Sequence, residues 1–226
     1  MAIIEPVKRD PANPGLLKRK SAALRLWHWS NAIIISGSLI TVLINSTVLN
    51  NHSNQSFLKT ELQKGGTNLN DQQARSLAHA QSDEVWGVHI YFGYFLAAFF
   101  VFRVILEFFQ PQGQRFFAGL KEAYNHYFNL KQNRYLAGHE LAVKVIYMLF
   151  YFLLTIMVVT GLSLAFEDQL SFLKPIRHSI KSVHGFCMYL VLAYIVVHIS
   201  GVILAEIGKE PGVVSNMING GKADQE

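Results

Sequence analysis

Four long apolar blocks alternate with polar connections along the chain. They run from about Trp27 to Leu49, Val85 to Phe109, Leu141 to Phe166 and Val183 to Ile207. Each block is apolar on most faces of a helix rather than along a single stripe, so it has no polar side to turn toward water. A hydrocarbon core about 30 Å thick takes roughly 20 helical residues to cross, and every block is long enough. The pattern predicts an all-α membrane protein, a four-transmembrane-helix bundle. Between the first two blocks, residues from about Asn50 to Glu84 are polar and rich in Asn and Gln, with Gly65-Gly66 marking a turn or break. Between the second and third, the stretch from Arg115 to Tyr135 mixes aromatic and basic residues and reads as a helix lying on the membrane surface. The chain accordingly divides into an N-terminal segment (1–26), a four-helix domain (27–207) and a tail (208–226).

Composition agrees. Of 226 residues 51% are apolar and 15% charged, where a soluble domain carries about a quarter charged residues. A soluble helical bundle, a disordered chain and a nucleic-acid-binding protein all fit this poorly. The net charge of +5 is not a nucleic-acid signature, because its placement follows the membrane instead. Six basic residues precede the first span, four lie between the second and third, and two follow the fourth, making twelve on one side against six on the other. The positive-inside rule places both termini in the cytoplasm. The first 26 residues hold three prolines and no apolar stretch, so they do not read as a cleavable signal. Cys187 is the single cysteine, which excludes a four-cysteine iron–sulfur cluster, a multi-cysteine zinc site and the C-x-x-C-H haem attachment motif. We find no repeat, no phosphate-binding glycine loop and no hydrolase motif, and name no catalytic residue.

Histidines are the remaining redox-competent side chains. His28, His89, His184 and His198 lie within or at the ends of the spans, where an ionisable residue is a functional candidate by default. At about 100° per residue, the 14-residue separation of His184 and His198 leaves them about 40° from eclipsed and about 21 Å apart along the axis. Two depths on one face suit two sites. Chain direction then pairs His28 with His198 at the inner level and His89 with His184 at the outer level. Two stacked bis-histidine sites match the needs of two non-covalent b haems, with both axial positions filled for electron transfer. Dinuclear zinc or iron is the weaker reading, since no Asp or Glu lies in mid-span.

Arg103 follows His89 by 14 residues, and Arg25 precedes His28 by about one turn. Either arginine can hold a haem propionate. Arg103 is equally placed for an i,i+4 pair with Glu107, and the two roles are compatible. Gly37, Gly93, Gly185 and Gly201 suit either close approach of a macrocycle or ordinary helix packing. His139 and Glu140 open the third span, where they either assist proton transfer to a quinone or serve as interfacial polar residues. His52, His79 and His126 read as surface groups, His178 as a surface group that is also placed to approach a propionate, and Cys187 as a packing residue.

The segments R-L-W-H-W (25–29), H-x13-R (89–103), A-G-H-E-L-A (137–142), H-x13-H (184–198) and V-V-S-N-M-I-N-G (213–220) resemble the cytochrome b subunits of membrane-bound nickel–iron hydrogenases, within the wider bacterial cytochrome b561-like group. The resemblance covers all four spans and the tail, and leaves the first loop without a match. It implies a dihaem anchor carrying electrons from a periplasmic hydrogenase, with its small and large subunits, to the quinone pool. It also implies ligand roles for His28, His89, His184 and His198. Other partners in the same class of role are a thiosulfate reductase, a formate dehydrogenase or a cytochrome c. A haem-free structural anchor is the reading from a different class. In each case the protein meets lipid and no nucleic acid.

Overall fold

The computed structural model describes residues 22–109, 116–130, 134–208 and 212–219; the side chains of residues 51, 52, 130, 134–136, 139 and 140 lie outside this description. The helices in chain order are α1 (Ala22–Thr47), α2 (Asn51–Lys64), α3 (Asp71–Phe109), α4 (Phe116–Asn125), α5 (Arg134–Ala165), α6 (Arg177–Ile207) and α7 (Val213–Asn219). A π-helical turn, His126–Leu130, follows α4, and a 3-10 turn, Ser171–Ile176, precedes α6. The described residues contain no strand. Four helical stretches, carried by α1, α3, α5 and α6, are long and apolar enough to cross a membrane. Helices satisfy their backbone polar groups internally, which a hydrocarbon solvent requires.

Little of any span is buried inside the chain itself. Ile33, Phe108, Phe186 and Ile207 all point outward, with Ile207 81% exposed. Such a surface is unfavourable in water and suited to acyl chains, so the protein is a multi-pass membrane protein as the apolar blocks predict.

The chain separates into two compact units, Ser30–Ala98 and Met1–Trp29 with Phe99–Glu226, whose boundaries fall inside α1 and α3. In the first of these, α1 and α3 run antiparallel and approach closely at Gly37. A Cβ there would lie 2.4 Å from Phe92 Cζ, so only glycine fits the ring as it stands. Farther along, Ser82 Oγ donates to Asn45 Oδ1 at 3.1 Å. The polar connection is not a loop. It folds as a helical hairpin in which α2 lies along the first turns of α3, with Asn54 Nδ2 donating to Gln81 Oε1 at 3.0 Å and Lys59 paired with Asp71. Ala74 and Ala78 are fully buried where these helices pass. Gly66, at φ +85°, makes the left-handed turn between them, which any residue with a Cβ resists. A reciprocal cap then starts α3: Gln73 N donates to Asn70 Oδ1 at 2.8 Å, and Asn70 N to Gln73 Oε1 at 3.0 Å.

In the other unit, Arg103 on α3 bonds Glu107 Oε2 at 3.1 Å and Tyr151 Oη of α5 at 3.1 Å. Its guanidinium lies over the rings of Trp27 and Tyr151. Glu107 also accepts from the backbone N–H of Phe116, which ties the start of α4 to the end of α3. The described residues 116–130 of the aromatic-basic stretch are helical as predicted, and α4 lies against α5, where Lys144 Nζ donates to Gly119 O at 2.7 Å. The tail folds too. Glu206 accepts from the backbone N–H groups of Gly212 and Val214 at 3.0 and 3.1 Å, which caps α7. The carbonyls at the far end of α7 then meet α1, with Trp29 Nε1 donating to Met217 O at 2.9 Å and Arg25 Nη1 to Ile218 O at 3.4 Å.

Candidate functional site

His28 sits two turns into α1 and His198 near the end of α6, and the fold brings their rings to a centroid separation of 6.2 Å with the planes 57° apart. An imidazole nitrogen about 2 Å from a metal and about 1 Å from its own ring centre puts two trans imidazole centroids about 6 Å apart. The pair therefore has the separation that a bis-histidine haem needs. His28 Nδ1 is buried with no hydrogen-bond partner, so the polypeptide alone does not satisfy this imidazole. His198 lies parallel to Tyr194, with centroids 5.8 Å apart and planes 4° apart, and Tyr194 in turn stacks on Phe150. This aromatic column limits the freedom of the His198 ring. Tyr194 precedes His198 by four residues, a helical spacing that puts both on one face.

Arg25 stands one turn before His28, and its Nε is buried without a partner. A guanidinium N–H left unmet in this environment is suited to an anionic group, and a propionate is one. Arg103 differs: its Nε and Nη1 are engaged by Tyr151 and Glu107, as the i,i+4 reading anticipates.

His89 lies in the unit formed by Ser30–Ala98 and His184 in the other. His89 Nδ1 is 2.9 Å from Thr41 Oγ1 and 3.3 Å from Ser38 O on α1. Trp86, one turn earlier, meets the His89 ring edge-on at 5.4 Å. His184 Nδ1 is 2.9 Å from Thr160 Oγ1 on α5. The neighbouring Gly161 leaves room for the ring, since a Cβ there would meet His184 Cε1 at 3.2 Å. Thus both imidazoles are held through the same nitrogen by a threonine hydroxyl from another helix.

Sequence reasoning did not single out Thr41, Thr160 or Tyr194. The readable signal was a hydroxyl inside an otherwise apolar span, but threonine bonds its own helix so often that this alone is weak. Of the other residues singled out, Gly93, Gly185 and Gly201 face open space, and Cys187 is buried as a packing residue. The side chains of His52, His139 and Glu140 lie outside the described residues, as does Arg115. Among the described residues no three His, Cys, Asp or Glu side chains gather as a metal-ion cluster would require. Paired imidazoles suit a macrocycle that brings its own four nitrogen donors.

Neither a curated protein nor a solved structure matches the chain. The family described as prokaryotic cytochrome b561 matches residues 19–220, which takes in all four spans and α7. The chain belongs to the prokaryotic cytochrome b561 family, and is a multi-pass inner-membrane protein that binds haem b and transfers electrons.

Proposed function

We propose that the protein is a dihaem electron conduit, taking electrons from a periplasmic hydrogenase and delivering them to quinone near the cytoplasmic surface. The observation that carries the reading is the His28–His198 pair at 6.2 Å, and the 14-residue separation of His184 from His198 along α6 supports a second site. His28 and His198 would hold the inner haem, and His89 and His184 the outer one. A b haem held by two imidazoles would supply one-electron transfer there. Arg25 would meet a propionate through its unpartnered Nε. Arg103, already bound to Glu107 and Tyr151, would set positive charge at the inner level. Quinone reduction needs protons, and His139 and Glu140, at the cytoplasmic start of the third span, would pass them. The segment resemblance to hydrogenase-associated cytochromes supports the partner assignment.

The test uses the protein purified with whatever accompanies it. Two haems per chain, all extractable into acidified organic solvent, with a hydrogenase co-purifying and the haems reduced by hydrogen in membranes, is the expected result. Two haems with a thiosulfate reductase, a formate dehydrogenase or a cytochrome c in place of the hydrogenase overturns the partner. One haem per chain overturns one of the two pairs, and no haem leaves a structural anchor.

A further inference from the structure

We infer that Thr41 and Thr160 are positioning residues that fix the tautomer of His89 and His184, so that Nε2 is the nitrogen each offers to iron. The inference rests on the reading that these histidines are haem ligands, and adds which atom binds and what holds it.

A threonine hydroxyl has one proton to give. Thr41 Oγ1 lies 2.6 Å from Ser38 O, a carbonyl that can only accept. Two oxygens at that distance repel unless a proton lies between them, so the Thr41 proton is committed to its own helix. Its oxygen can then only accept from His89 Nδ1, 2.9 Å away. Ser38 O and Ser38 Oγ also lie 3.3 Å from the same Nδ1; the carbonyl can only accept, and the hydroxyl can accept as well, so both are compatible with this assignment.

Thr160 repeats the arrangement on a different helix. Its Oγ1 is 2.6 Å from Ile156 O and 2.9 Å from His184 Nδ1. Both imidazoles therefore carry their proton on Nδ1 and their lone pair on Nε2. A neutral imidazole with its lone pair on Nε2 is in the form that binds a metal, so neither ligand has to exchange a proton first.

The bond has an electronic effect as well. An imidazole whose second nitrogen donates a hydrogen bond is a more basic ligand, and favours oxidised over reduced iron.

The experiment measures haem content and the midpoint potential of each haem in the purified full-length protein, by redox titration followed spectrally. His89→Ala and His184→Ala are each expected to lose a haem component, which identifies the component belonging to each ligand. Thr41→Val and Thr160→Val are expected to keep both haems and to shift upward the midpoint of the component that their histidine holds. Thr41→Ser and Thr160→Ser restore the hydroxyl and are expected to return that midpoint to the wild-type value. Unchanged midpoints in the valine variants overturn the inference while the ligand reading stands. A shift that serine does not reverse also overturns it, since the methyl group and not the hydroxyl would then be responsible. Retention of both haems in the histidine variants overturns the ligand reading itself. If a valine variant does not retain haem, its serine counterpart decides: a wild-type midpoint supports the hydroxyl, and a shifted one overturns it.

Discussion

Gly37 shows how closely single residues are constrained where α1 and α3 cross. With a hypothetical Cβ 2.4 Å from Phe92 Cζ, Gly37→Ala forces the ring aside. Overpacking of this kind costs about 1–3 kcal/mol, so the variant is expected to lose thermal stability in detergent. Phe92→Leu should recover most of the loss in the double variant; an unchanged melting temperature in Gly37→Ala would contradict the contact. At this scale the sequence was informative about depth and poor about contacts. His28 and His198 are legible as partners because helical rise and chain direction fix the level of each. Phe92 is not legible as Gly37's neighbour, since which face of α3 turns toward α1 depends on packing that apolar periodicity does not encode. In a span apolar all round, no face announces itself.

The four spans emerge from the hydrophobic pattern within a few residues, except where polar residues continue a helix. α3 starts at Asp71, well before the apolar block, and its first turns pair with α2 instead of forming a loop. A polar stretch has no stripe to reveal its helicity, but its start was readable. The run N-D-Q-Q at 70–73 is a capping box, and Asn70 and Gln73 exchange the expected bonds. Asn70→Ala removes one half of that exchange and should cost about 1 kcal/mol. The loss should appear as faster amide hydrogen exchange confined to the hairpin, with haem content unchanged; protection equal to wild type would show that the cap contributes nothing. α7 escaped notice for a different reason. Seven residues are too few to hold a helix in isolation, and this one depends on Glu206 at its start and on Arg25 and Trp29 at its end.

For the molecule as a whole, the basic residues predict which end of each span meets the cytoplasm, and the helices carry that prediction to particular surfaces. By that prediction the α2–α3 hairpin belongs to the periplasmic side and α4 to the cytoplasmic side. Gln63 and Lys121 are both exposed and mark these two places. In a Cys187→Ser background, Gln63→Cys should react with a membrane-impermeant maleimide added to spheroplasts. Lys121→Cys should react only after the membrane is opened. The reverse pattern would invert the topology, and with it the direction from which electrons reach the outer pair.

The docking of α7 also sets an order in time. Arg25 belongs to the first span, and the Ile218 carbonyl that it meets is synthesised 193 residues later. Trp29 likewise waits for Met217, 188 residues on. Throughout translation the head of α1 is therefore without its final partners, and a prematurely terminated chain never acquires them, even with all four spans inserted. The head of α1 is therefore completed by a segment that lies beyond the fourth span, and removing α7 alone leaves these donors without their carbonyls.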